Sequence, residues 1–177
     1  MIKLSYNIDI YRKQLLDIIQ LGDTIIELGA HIGNTSKLIL EKYDDCTLIS
    51  LDNSQEAIEQ MAKISNTNFT FIPGDVRLHD IILEVYKITK KCDVLSVDLG
   101  GGYHPDTVFK VFYIWASTFK PKHTLIRNKG LLDFSNSIDF DEDNFKSENG
   151  YLSSYGGEGI PPQIKEFDLW TNSLKNK

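Results

Sequence analysis

Read for its apolar and polar positions, the chain divides into short β-rich runs separated by helical stretches. Tyr11 to Leu21 places Leu15, Leu16, Ile18 and Ile19 on one side, which predicts an amphipathic helix stopped at Gly22. "TIIEL", Thr24 to Leu28, reads as a strand buried on both faces. The alternation then continues with helix 34–43, strand 46–52, helix 54–65, strand 68–75 and helix 78–91. It closes with strand 92–102, helix 104–119 and strand 123–128. Pro105 falls in the first turn of its helix, where a missing N–H costs nothing. Strands alternating with helices at this pitch predict an α/β fold: a doubly wound, mostly parallel, Rossmann-like sheet with helices on both faces. Beyond Asn128 the pattern decays. Residues 131–150 are polar and acidic, 155–162 are turn-rich, and 163–170 is a last strand candidate on a shortened C-terminal edge.

This reading puts four carboxylates on one rim. Glu27, Asp52, Asp75 and Asp98 lie at or near the carboxyl ends of successive strands, where open α/β sheets bind their ligands. One such carboxylate could be a helix cap or a loop charge. Four in succession point to a ligand site. The first loop, Gly29-Ala30-His31-Ile32-Gly33, departs from the dinucleotide pattern G-x-G-x-x-G, because His31 stands at the middle glycine and the helix-packing glycine is missing. Pyrophosphate binding is weakened by that departure. A P-loop is excluded, because no G-K-[ST] follows.

Composition narrows the picture further. Apolar residues at 41% and charged residues at 25% describe an ordinary globular domain, and 177 residues suffice for one core. The formal charge of −6 argues against long duplex nucleic acid as a partner. No apolar run reaches the length of a membrane span, and the N-terminal stretch lacks the apolar core of a signal peptide. Cys46 and Cys92 show no metal-ligand spacing and read as small buried thiols, so a cytoplasmic location is expected.

"IIELGAHIGNTS" resembles motif I of the class I S-adenosylmethionine-dependent methyltransferases, and the likeness runs from about Thr24 to Asn128. "LISLDNS" matches the second motif, "FIPGDV" the third, and "CDVLSVDLGGGYHPDTVFKVFYIWASTFKPKHTLI" the fourth strand, helix and fifth strand. The resemblance implies S-adenosyl-L-methionine as cofactor. Glu27, Gly29, Ala30, Gly33 and Asn34 would then contact its methionine portion. Asp52 and Asn53 would take the ribose, and Asp75 with Val76 the adenine edge. Asp98 would stand between cofactor and acceptor. The chemistry agrees, since this cofactor carries two ribose hydroxyls and a sulfonium but no phosphate. One domain over 1–177 is expected: an N-terminal helix in 1–22, a cofactor-binding core in 23–130, and an acceptor-side loop with the last strand in 131–177.

Within this frame Asp98 and His104 are the catalytic candidates. His104 precedes Pro105 at a helix N-terminus, where it reads as a neutral general base or as a capping or surface histidine. Asp98 and Gly100-Gly101-Gly102 read as the wall between cofactor and acceptor, the glycines alternatively as a flexible strand-to-helix turn. Tyr103, His104, Arg127 and Asn128 are the acceptor-side candidates. Tyr103, Tyr151 and Tyr155 lie in predicted loops. Arg77, His79, His104, Arg127 and Lys129 follow strands, which hints at an anionic acceptor; alternatively Arg127 pairs with Asp98 or Asp133. Lys87, Lys90, Lys91, Lys120 and Lys122 precede strands and read as a solvated face. In relatives that methylate catechol-like hydroxyls, a metal is held by an Asp after strand four and an Asp-Asn pair after strand five. Here Arg127-Asn128 stands in the second place, and an arginine cannot ligate a cation, so no metal is expected. No Asn-Pro-Pro-Tyr type motif is present. The expected activity is metal-independent methyl transfer to a small or macromolecular acceptor. A non-catalytic S-adenosylmethionine-binding protein and an NAD(P)-dependent oxidoreductase are the alternatives.

Overall fold

The computed structural model describes residues 1–102, 104–140 and 146–152. Its elements, in chain order, are β1 (Ile2–Ser5), α1 (Ile8–Ile18), β2 (Thr24–Leu28), α2 (Asn34–Lys42), β3 (Thr47–Asp52) and α3 (Gln55–Met61). They continue as β4 (Phe69–Pro73), α4 (His79–Ile88), β5 (Val94–Val97), α5 (Pro105–Phe119), β6 (His123–Arg127) and α6 (Lys129–Asn136). The six strands form one sheet in the order β1-β6-β5-β2-β3-β4, with every pairing parallel. From β2 the chain winds outward through β3 to β4. It then returns to the other side of β2 for β5 and β6. The fold is therefore a doubly wound, Rossmann-like parallel sheet with its switch point between β2 and β5.

Strand parity builds two core layers. Ile26 and Leu28, Ile49 and Leu51, and Leu95 and Val97 face one side and pack with Ile82 and Val85 of α4 and Phe112 and Trp115 of α5. Ile25, Leu48, Val94 and Leu125 face the other and pack with Tyr11 and Leu15 of α1 and Ile39 of α2. On this second face the apolar rows end in a polar row, because Ser50, Glu27 and Ser96 are in register across β3, β2 and β5.

At the opposite end of the strands a buried carboxylate ties the sheet together. Asp93 accepts from the Thr24 N–H at 2.9 Å and from the ammonium groups of Lys91 and Lys122 at 2.8 Å each. Burial pushes the Asp93 carboxyl up, but these donors outweigh it and hold it below its ordinary value. Two of the lysines read as merely solvated thus have a specific partner.

Several expectations change. Helix α1 begins at Ile8 because Asn7 caps it, its side-chain oxygen accepting from the N–H groups of Asp9 and Ile10. Strand β1 and helix α6 were not predicted. Of the segment 131–177 expected as an acceptor-side loop and last strand, residues 146–152 are among those described. They pack against the start of β6, where the Met1 ammonium donates to the Lys122 and Glu148 carbonyls at 2.7 Å and Gly150 N–H donates to the Pro121 carbonyl. The strand expected at 163–170, Tyr103 and Tyr155 lie outside the described residues. Among the described residues no helix is long and apolar enough to cross a membrane.

Candidate functional site

At the switch point a cavity of about 600 Å³ opens beyond the carboxyl ends of the strands. Its walls come from the loops after β2, β3, β4, β5 and β6 and from the first turn of α5. Of the expected site residues, Gly29, Asp52, Asn53, Asp75, Val76, Asp98, His104 and Arg127 line it together.

The first loop is shaped by close backbone approach. At Gly29, with φ +86°, a Cβ would stand 2.0 Å from the Asp98 carbonyl oxygen, so only glycine lets β2 and β5 close here. Gly33 caps α2 with φ +78°, and a Cβ there would meet the Met61 sulfur at 2.5 Å. His31, the residue in the fingerprint glycine's place, adopts the same left-handed region at φ +49°. Its exposed ring lies 3.4 Å from Glu56 while its N–H donates to Asp52 at 2.8 Å. The bulkier residue therefore preserves the glycine-like backbone.

Asp52 closes β3. One of its oxygens accepts from His31 N–H and the other from Ser54 N–H, both at 2.8 Å. A carboxylate offers about four acceptor positions, so each oxygen retains one. That pair of oxygens at the cavity rim matches a vicinal diol.

Asp75 follows β4 and is differently placed. Its two oxygens accept from the Arg77 backbone N–H, Nε and Nη2, at 2.5–3.0 Å. The hydrogen bonds that Arg77 donates to Asp75 raise its guanidinium above its ordinary pKa. Next in line, the buried Trp115 indole N–H donates to the Val76 carbonyl at 2.8 Å, pinning this loop to α5.

Asp98 follows β5 and accepts through both oxygens from Arg127 Nη1, at 3.1 and 3.2 Å. Burial pushes the Asp98 carboxyl above its ordinary value despite that guanidinium. Arg127 Nε donates to the Tyr6 carbonyl at 2.9 Å, and the guanidinium sits over the Tyr6 ring. The pairing of Arg127 with Asp98 is thus the observed one. Gly101 wraps this guanidinium so closely that a Cβ would approach it to 2.3 Å. His104 is exposed at the α5 N-cap with φ +54°, a conformation costly for a residue before proline. Strain of that kind concentrates at functional sites.

Other expected residues lie elsewhere. Glu27 is buried on the α1–α2 face, where its Oε2 accepts from Ser36 at 2.5 Å and Ser50 at 2.6 Å. Burial raises its carboxyl above the ordinary value. It supports the first loop from beneath and is not among the cavity-lining residues. Ala30 is buried and holds the turn through its N–H to Leu51, and Asn34 is exposed on α2. Asn128 is fully buried and caps α6, its Oδ1 accepting from Leu131 N–H at 2.9 Å. None of these three lines the cavity, nor do Gly33, His79 and Lys129. Ser54, Leu99, Thr107 and Val108 line it and were not anticipated. Their positions just past strand ends and in the first turn of α5 were the available signal.

The doubly wound parallel sheet is the fold expected from the sequence, and three of the four expected rim carboxylates, Asp52, Asp75 and Asp98, line the cavity while Glu27 does not. No protein-family model matches the chain, and no curated protein matches it in sequence. Solved structures that resemble it include a complex of the Haloferax volcanii Trm112 methyltransferase activator with a candidate methyltransferase, at 17% identity and TM-score 0.44, covering 64% of this chain and 48% of that one. Coclaurine N-methyltransferase, bound to N-methylheliamine and SAH, aligns at 23% identity and TM-score 0.38, over 50% of this chain and 25% of that one. An S-adenosylmethionine-dependent methyltransferase from Anabaena variabilis aligns at 12% identity and TM-score 0.45, over 60% and 43%. The chain thus spans about half or less of the length of these structures.

Proposed function

We propose that the chain is a cytoplasmic, metal-independent methyltransferase that uses S-adenosyl-L-methionine. The observation that carries this reading is Asp52. Two backbone N–H groups hold its carboxylate at the cavity rim, with one acceptor position left on each oxygen for the two ribose hydroxyls. The fixed charges support it as well. Three carboxylates, Asp52, Asp75 and Asp98, face two guanidiniums, Arg77 and Arg127, which suits a monocation and opposes a diphosphate.

When bound, the cofactor would supply an electrophilic sulfonium methyl for transfer to an acceptor lone pair, with the thioether as leaving group. Asp98 and Arg127 form the wall on the acceptor side, and His104 is placed at the α5 N-cap to take a proton from the acceptor. Alignment and exclusion of water are the protein's remaining contributions. Arg127 occupies the position where a second set of metal ligands would stand, which supports metal independence. The free, buried Cys46 and Cys92 support the reducing location.

One observation favours a second reading. Arg127 is already committed to Asp98 and to the Tyr6 carbonyl, as suits a binding protein without an acceptor site. Methyl transfer from labelled cofactor into fractionated cell extract separates the two. The primary test is calorimetric titration with S-adenosylmethionine, S-adenosylhomocysteine and NAD. Asp52→Ala is expected to weaken the first two by about 1–3 kcal/mol, the range for losing hydrogen bonds to a charged acceptor. Unchanged affinity takes Asp52 out of the site, and tight NAD binding overturns the proposal.

A further inference from the structure

A carboxyl group on a cavity wall accepts hydrogen bonds as a carboxylate or donates one as an acid, and its surroundings decide which. Asp98 lines the cavity with its side chain 20% exposed, and burial favours the acid form. The cation hydrogen-bonded to it is Arg127, whose Nη1 reaches both oxygens at 3.1 and 3.2 Å. The other groups that face it do less. Arg12 of α1 acts on Asp98 by charge alone and donates its Nε to Thr35 at 3.1 Å. Glu27 of β2 is a second buried acid, and its charge opposes ionisation of Asp98. Tyr11 of α1 keeps its proton and bonds Ser96 at 2.6 Å. The Gly100 backbone adds one hydrogen bond. Elsewhere on the cavity, Asp52 and Asp75 are held by their own donors, Arg77 is engaged with Asp75, and His31 and His104 are exposed.

Arg127 is itself fixed from three sides. Its Nε donates to the Tyr6 carbonyl at 2.9 Å, and its guanidinium lies 5.6 Å from the centre of the Tyr6 ring. Gly101 closes on it so tightly that a Cβ would stand 2.3 Å from Nη1. A rigid, planar fork held in this way presents Nη1 at one place. A buried carboxylate deprived of such a partner neutralises rather than stays charged. We propose that Arg127 is a positioning residue of this cavity: it fixes Asp98 as a carboxylate, so that the wall offers a ligand an acceptor and a negative charge rather than a donor O–H. Two contacts from Nη1 and one from Gly100 leave about one acceptor position open for that ligand. The assignment holds for any ligand seated in the cavity and is independent of the function proposed above.

The test follows the Asp98 carboxyl carbon by NMR through an acid titration of the full, ligand-free chain, native and Arg127→Met. A guanidinium neighbour lowers the titration midpoint of a carboxylate by about 1–3 pH units. The variant is therefore expected to titrate about one pH unit or more above the native protein. A smaller rise overturns the inference and leaves Arg127 a structural tie between β6 and the loops beside it. In the native protein the Arg127 Nη resonances should move with the same midpoint as the Asp98 carboxyl, because Nη1 bonds both of its oxygens. Arg127 signals that do not follow that midpoint overturn the inference as well. This native measurement decides the matter even if the variant does not fold. No cofactor enters the experiment, so its failure is distinguishable from failure of the proposed function.

Discussion

At Gly29 two strand ends pass so closely that a Cβ would stand 2.0 Å from the Asp98 carbonyl oxygen, with φ at +86°. His31, two residues on, shares the left-handed backbone but turns its side chain toward solvent and Glu56. The two positions look alike in a glycine fingerprint, yet one is fixed by a backbone contact and the other by conformation alone. Gly29→Ala is therefore expected to cost about 3 kcal/mol or more, the strain of the backbone region adding to the clash. Urea unfolding should show a lower midpoint with an unchanged slope. A loss below about 1 kcal/mol would mean that β2 and β5 separate easily at this point.

Elements carried by long, strongly patterned segments were legible. Strands β2 to β6 and helices α2 to α5 lie within the ranges that alternation and the Gly and Pro signals gave them, and α1 overlaps its expected range but begins at Ile8 rather than Tyr11. Asp52, Asp75 and Asp98 close or follow their strands as expected. Strand β1 was not legible because four residues give too few alternations to exceed chance. It exists because its pairing with β6 covers an open sheet edge. Helix α6 buries no residue fully and is held by the Asn128 cap and by Leu131 against the core, a tertiary cause no periodicity records. Glu27 was misplaced for a related reason. Its parity with Ile25 puts it on the α1–α2 face, and parity becomes meaningful only when Ser50 is known to lie beside it. The occupation of Asp75 by Arg77 was equally hidden, since a strand-end acid looks the same free or paired.

Asp93 shows how elements are joined at the other rim. Its folded pKa lies below the ordinary carboxylate value, so its contribution is fully present above the unfolded pKa of about 3.9 and is lost as pH falls toward the folded value. Asp93→Asn keeps an acceptor for Thr24 but loses both lysines, which are themselves well exposed. The expected cost at pH 7 is about 1 kcal/mol. Denaturation of the two proteins across pH should show the gap closing below about pH 4. A constant gap would assign the residue a purely geometric role.

For the molecule as a whole, the cavity lies where the two halves of the sheet meet, with walls from β2, β3 and β4 on one side and from β5, β6 and α5 on the other. A ligand seated there touches both halves and resists their joint unfolding. At one hundred times its dissociation constant a ligand stabilises by about 2.7 kcal/mol. For a domain of this size that corresponds to a rise in Tm of about 5–11 °C. S-adenosylmethionine and S-adenosylhomocysteine should both produce the shift, and NAD should produce none. Charge then separates the first two, because the sulfonium compound carries one positive charge that its product lacks. The cavity's three carboxylates and two guanidiniums leave it net negative, in a chain of formal charge −6. Raising the salt shortens the Debye length from about 10 Å at 0.1 M to about 3 Å at 1 M. The affinity for S-adenosylmethionine should fall over that range while that for S-adenosylhomocysteine changes less. Equal losses for both would show that the sulfonium does not sense these carboxylates, and that the rim acts through hydrogen bonds alone.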